Sequence, residues 1–177
     1  TISSTKGLRE VGASGTIKHF ALNNQEDGRR DVNSVCSERA IREIYLKAFE
    51  MAVKAGNVLS IMTAYNPING HWCASNYDLN TTVLRGEWKF NGFVMTDWQA
   101  EMNDVVDGGE KSLDKTRDMI RSQNDLYMIV PGRHGAKSNC LYDDTEKSIE
   151  SGKLTVGELQ RCIINLLNYL MNEIKIK

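Results

Sequence analysis

Proline is scarce. Only two occur in 177 residues, so few positions forbid the backbone hydrogen bonds of helices and strands. Cysteine is sparse and scattered: Cys36, Cys73, Cys140 and Cys162 form no CxxC and have no nearby pair of histidines. A zinc site or a dithiol redox motif is therefore not expected. Four reduced and mostly buried thiols are, which suits a reducing, cytoplasmic setting. Cationic excess is missing, with 22 Lys and Arg against 23 Asp and Glu, and nucleic acid is not an expected partner. No apolar run approaches the ~18 residues of a membrane span, so a membrane is not expected either. There is no GxGxxG or GxxxxGK[ST] loop to cradle phosphates. The opening TISSTKGLRE has no apolar h-region and no start methionine. No signal peptide is visible there, and the chain is expected to begin inside a longer gene product.

What is present is ordinary for a soluble globular domain: 41% hydrophobic and 25% charged residues. Short apolar runs alternate with longer amphipathic ones. TIKHF (16–20), VLSIMTAYN (58–66), GFVMTDW (92–98) and DLYMIV (125–130) read as strands. Pro67 bars continuation of the second, and Pro131-Gly132 closes the fourth. Helices are expected over 37–56, 75–90, 113–123, 143–152 and 155–174. In the first of these, Ile41, Ile44, Tyr45, Ala48, Phe49, Ala52 and Val53 recur at helical spacing, with Ser37 as N-cap and Gly56 as stop. The last carries a capping box, Thr155 with Glu158, and an apolar face of Leu159, Cys162, Ile163, Leu166, Leu167 and Leu170.

Strands and helices alternating every 30 to 40 residues or so indicate βαβ units and a parallel sheet, either a barrel or an open doubly wound sheet. In both, functional residues gather at the C-terminal ends of the strands. Lys18 and His19 stand there on the first strand, Met62, Tyr65 and Asn66 on the second, Asp97 and Trp98 on the third. Asp97 has two readings, a helix cap or Arg partner on one side and a catalytic carboxylate on the other. Trp98 beside it favours a sugar-stacking platform but is also good core. Lys18 is costly to bury without a partner. Adjacent residues on a regular strand face opposite ways, so Lys18 and His19 can share a pocket only where the backbone bends. Taken alone, His19 reads as a core histidine or a ligand, and Met62 as core. The polar run NNQEDGRR (23–30) sits over the same mouth, with Glu26 and Arg29 either paired or solvated. Glu101 reads as a solvated loop acid.

The segment VLRGEWKFNGFVMTDWQA (83–100) carries more. Val83, Leu84, Arg85, Glu87, Gly92, Phe93 to Met95, Thr96 and Asp97 resemble the nucleophile pattern of glycoside hydrolase family 3. IKHFALNNQE (17–26), SERAIREIYLKAFE (37–50), SIMTAYNPINGHW (60–72) and the terminal SIESGKLTVGELQRCIINLL resemble the family's flanking segments in the same order. The resemblance implies a retaining β-glycosidase of β-glucosidase type with Asp97 as nucleophile. It implies that Lys18, His19, Met62, Tyr65 and Trp98 line the subsite of the sugar next to the scissile bond, with no metal or organic cofactor. The loop after KHF holds no histidine, unlike the N-acetylglucosaminidase branch, and neither His71 nor His134 restores that motif.

A whole (β/α)8 barrel takes ~250 residues, so the expected fold is a partial TIM-type barrel, roughly its second half, with about four βα units. Residues 1–177 then form one partial domain, lacking the first barrel half and the second α/β domain that supplies the acid/base group. The expected partners are a carbohydrate substrate and those missing parts, with self-association through exposed edges. The isolated chain is expected to be inactive. The alternative is a half-barrel that binds carbohydrate without cleaving it, or an assembly module.

Overall fold

The computed structural model describes residues 2–55, 58–129 and 142–173. It opens with α1 (Ile2–Glu10), β1 (Thr16–Phe20) and α2 (Glu38–Ala40). Then come α3 (Lys47–Lys54), β2 (Ser60–Thr63), and the short pair β3 (Pro67–Ile68) and β4 (His71–Trp72). A π-type helix over Asp78–Glu87 leads into β5 (Phe93–Met95). The remainder is β6 (Met102–Asp104), β7 (Gly108–Ser112), α4 (Thr116–Arg121), α5 (Thr145–Glu150) and α6 (Val156–Glu173). Gly56, Pro131-Gly132, His134 and Cys140 lie outside the described residues.

The fold is α/β, built on a parallel sheet in the order β1-β2-β5. Its buried face is apolar, with Phe20, Ile61 and Val94 fully buried, while Thr16 and Lys18 of the edge strand β1 are exposed. The Phe20 ring meets the edge of Phe49 at 5.1 Å and lies 6.0 Å from Trp88, which locks α3 and the π-type helix onto β1. A second core gathers Met102, Met119, Ile120, Leu154 and Cys162 under α6.

Among the described residues, the expected fourth strand is present as a single parallel bridge, Met95 to Leu126. Side chains take ladder positions that backbone groups would fill. Val94 N–H donates to the Asp125 carboxylate at 2.8 Å, and Met128 N–H donates to Thr96 Oγ1 at 2.9 Å.

The helix expected over 37–56 is continuous but irregular. A π turn spans Ile41–Tyr45 between α2 and α3. The wider turn rotates the apolar face, so Ile41, Leu46, Ala52 and Val53 are buried while Ile44, Tyr45 and Ala48 are exposed. Ser37 does cap it, accepting from Ala40 N–H at 3.3 Å. The capping box of α6 also forms: Thr155 N–H donates to Glu158 at 2.8 Å and Glu158 N–H to Thr155 Oγ1 at 3.2 Å. The apolar face of α6 is only partly covered by the described residues, for Ile163, Leu167 and Leu170 are exposed. Helix α1 and the two hairpins, β3–β4 and β6–β7, have no counterpart in the sequence reading.

Candidate functional site

Asp97 follows β5 by two residues, at the edge where the parallel strands end. Thr96 before it is fully buried. Its N–H donates to the Leu126 carbonyl at 2.9 Å, and with the Met128 contact this fixes the backbone that carries the carboxylate. Asp97 itself is 6% exposed. Oδ1 accepts the Trp98 N–H at 2.7 Å, and Oδ2 lies 3.3 Å from His19 Nε2. One oxygen is thus occupied by backbone and the other faces a side chain.

His19 reaches Asp97 through an irregularity in β1. Ile17 pairs with Ile61 and Phe20 with Thr63, so β1 advances three residues where β2 advances two. An extra residue breaks the strict alternation of faces and re-aims side chains, which is the bend the sequence reading required. Burial pushes the His19 imidazole below its ordinary 6.5; the Asp97 charge opposes that shift, while Lys18 and Arg29 reinforce it. Burial thus favours the neutral form of the ring in its contact with Asp97.

Lys18 is placed differently. It is exposed and lines a cleft with Thr5, Leu8, Thr16 and Phe49 along the free edge of β1. It makes no hydrogen bond or ion pair with a described residue, though its charge is felt at His19.

Tyr65 is buried beyond the end of β2, and its O–H donates to the Trp98 carbonyl at 2.7 Å. Burial, then the Asp97 charge, pushes the phenol up, so it stays a donor. Met62 is half-buried and pairs in register with Met95. Trp98, the next residue after Asp97, is 50% exposed. Asn66 is buried and donates to the Ala21 carbonyl at 3.2 Å, tying the end of β1 to that of β2.

The loop over 23–30 closes on this group. Of the two readings left open for Glu26 and Arg29, the structure shows an ion pair at 3.1 Å, with the Glu26 side chain largely in solvent. Glu101 is not a free loop acid: it is half-buried and pairs with Lys111 at 2.8 Å, and Lys111 also bonds Asp31. Sequence reasoning missed Arg30. Its guanidinium carbon lies 4.0 Å from the centre of the Tyr65 ring, and Nη1 donates to the Gln99 carbonyl at 3.0 Å. Nothing in the doublet Arg29-Arg30 distinguishes the two before the loop is folded.

The residues upstream of Asp97 act on structure. Val83 and Leu84 are buried. Arg85, with a side chain only 10% exposed, pairs at 2.5 Å with Asp125, whose side chain is fully buried. Asn165 of α6 donates to the second oxygen of Asp125 at 2.9 Å. Glu87 is bonded by Arg42 across to the helix before α3. Gly92 passes so close to Leu59 that a Cβ there would lie 2.2 Å from the Leu59 carbonyl oxygen.

Among the described residues no group of three or more His, Cys, Asp or Glu side chains could hold a metal ion. No helix among them is long and apolar enough to cross a membrane.

Residues 2–168 match a family model described as Glycosyl hydrolase family 3 N terminal domain. A beta-glucosidase of Ruminococcus albus is 45% identical over 167 residues, 94% of this chain and 17% of that protein. A solved beta-glucosidase structure from Paenibacillus barengoltzii is 60% identical with a TM-score of 0.92, covering 95% of this chain and 18% of its own. Beta-glucosidase 3B from Thermotoga neapolitana in complex with glucose superposes with a TM-score of 0.79 at 40% identity, covering 97% of this chain and 22% of its own. The chain thus spans about a fifth of the length of these proteins.

Proposed function

The chain belongs to the Glycosyl hydrolase family 3 N terminal domain family, and from that premise we propose that it is a catalytic segment of a retaining β-glycosidase of β-glucosidase type. In this reading the Asp97 carboxylate attacks the anomeric carbon of a terminal β-linked sugar, and the bond to the leaving oxygen breaks. A covalent glycosyl-enzyme forms. A second carboxyl group, about 5 to 5.5 Å away in retaining enzymes, protonates the leaving oxygen and then deprotonates the water that releases the sugar. That acid/base group lies outside this chain. Glu101, the acid nearest to Asp97 in sequence, is occupied by Lys111.

The observation that carries the reading is the setting of Asp97. It is a buried carboxylate at the C-terminal edge of a parallel sheet, with one oxygen held by a backbone N–H and the other facing His19. His19 and Tyr65 face it with a polar ring and a phenol, and the half-exposed indole of Trp98 follows it in the chain, the groups that hold sugar hydroxyls and the apolar face of a pyranose. Met62 lines the same edge, and Lys18 contributes its charge, felt at His19.

The fold belongs to the same reading. The three parallel strands and the segment at 125–129 are four consecutive staves of a (β/α)8 barrel, roughly its second half. The missing half pairs with the edge of β1, and a second α/β domain completes the site. That the matched beta-glucosidases are several times longer than this chain supports a larger parent protein.

The test is covalent labelling of the full-length enzyme that carries this chain, using a 2-deoxy-2-fluoro-β-glucoside with a good leaving group. The expected result is a fluoroglucosyl adduct on the peptide containing Asp97. Asp97→Asn is expected to lower turnover on the order of 10³-fold or more. Sugar binding without an adduct points instead to a carbohydrate-binding module and overturns the reading.

A further inference from the structure

The geometry points to Arg30 as a positioning residue for the Asp97 nucleophile, acting through the Trp98-Gln99 turn rather than on the sugar; this rests on the glycosidase reading above. Five observations converge on it. Arg30 Nη1 donates to the Gln99 carbonyl at 3.0 Å and Nη2 to the Trp98 carbonyl at 3.4 Å. Its guanidinium stacks 4.0 Å from the centre of the Tyr65 ring, and the Tyr65 O–H donates to the same Trp98 carbonyl at 2.7 Å. The backbone of Arg30 is itself anchored, since Trp72 Nε1 donates to its carbonyl at 3.1 Å.

The turn needs such a clamp. Gln99 has φ +48°, a left-handed conformation that costs a non-glycine residue free energy and persists only when its surroundings hold it. Gln99 N–H donates to the Met128 carbonyl at 3.0 Å, so Arg30 secures the other side of the same peptide unit. The Trp98 N–H inside this turn is the donor to Asp97 Oδ1. Slack in the turn therefore passes directly to the carboxylate, and a misplacement near 1 Å costs about 10²-fold in rate.

A planar fork is required. A guanidinium can bond two successive carbonyls while its carbon stands over a phenol ring; an ammonium is a point donor without that fork. Arg29, next in sequence, is 5.0 Å from the same ring and pairs with Glu26 at the rim, so it does not duplicate the clamp.

The experiment compares wild type, Arg30→Met and Arg30→Lys in the full-length enzyme. The probes are 4-nitrophenyl β-glucoside for turnover and a 2-deoxy-2-fluoro-β-glucoside for the rate of labelling. Arg30→Met is expected to lower kcat and the labelling rate together by about 10²-fold, with KM and the inhibition constant of glucose within about threefold, because a displaced nucleophile is felt in the transition state. Arg30→Lys recovers a part of that loss. Fluorescence of the indoles reports Trp98 becoming more mobile in Arg30→Met.

Wild-type labelling at Asp97 with equally fast labelling of Arg30→Met overturns the inference and leaves the glycosidase reading standing. A large rise in KM at constant kcat also overturns it, since Arg30 would then bind sugar. If wild type gives no adduct, the glycosidase reading fails and the inference falls with it. Should Arg30→Met not reach a wild-type unfolding profile, Arg30→Lys decides alone. A folded Lys variant with depressed kcat and unchanged KM upholds the clamp, and one with wild-type kcat removes it.

Discussion

At the scale of single residues, two positions carry consequences out of proportion to their size. Gly92 has no room for a side chain, because a Cβ would meet the Leu59 carbonyl oxygen and the Phe90 ring. Backbone cannot yield as a flexible side chain does, so Gly92→Ala is expected to destabilise by about 2 kcal/mol or more. A lowered urea midpoint checks this, and an unchanged one refutes it. His19 is the other. Its folded-state pKa is depressed by burial, while the unfolded histidine titrates near 6.5. Between those values the unfolded state binds more protons, so stability rises with pH through that window. The contribution is fully present above about 6.5 and is lost as pH falls through the depressed value. His19→Gln is expected to flatten the dependence of the unfolding midpoint on pH just below 6.5. An identical slope in wild type and variant would rule the linkage out.

At the scale of elements, the pattern leading to Asp97 is mostly a bracing device. Arg85 on the π-type helix, Val94 on β5, Asp125 beside it and Asn165 on α6 share one buried carboxylate. Burial pushes Asp125 up despite the guanidinium, and pushes Arg85 down. The desolvation of both groups makes this pair a weak source of net stability but a costly one to break. Arg85→Met should therefore cost about 3 to 5 kcal/mol in urea unfolding. Arg85→Met with Asp125→Leu should cost less than the sum of the two single changes. Additivity would show that the two side chains do not act as a pair. The exposed network of Arg42 with Glu87 and Glu38 is screened by solvent and contributes little by comparison.

At the scale of the whole molecule, the described residues leave apolar surface open. Ile163, Ile164, Leu167, Leu170 and Met171 of α6 are exposed, and β1 is an unpaired sheet edge. Such surfaces pair with other chains when their natural cover is absent. The isolated 177-residue chain is expected to self-associate, with a sedimentation mass that rises with concentration. It should also show no turnover of 4-nitrophenyl β-glucoside, the activity proposed above for the longer protein that carries this segment. A concentration-independent monomer, or rapid hydrolysis by the isolated chain, would contradict the half-barrel proposed above.

The sequence by itself determined the alternation of strand and helix, the limits of β1, the caps at Ser37 and Thr155, and Asp97 at the end of a buried strand. These depend on local hydrogen bonding and on periodicity, which neighbouring residues carry between them. The pairing of His19 with Asp97, the burial of Arg85 against Asp125, the capture of Glu101 by Lys111 and the clamp of Arg30 on the Trp98-Gln99 turn were decided only by tertiary structure. Each joins side chains brought together by the packing of separate elements. The π turn at Ile41–Tyr45 belongs with them, because a single extra residue per turn moved Ile44 and Tyr45 out of the core without leaving a mark in the hydrophobic pattern. Periodicity specifies which face of an element is apolar; only the packed molecule specifies what that face meets.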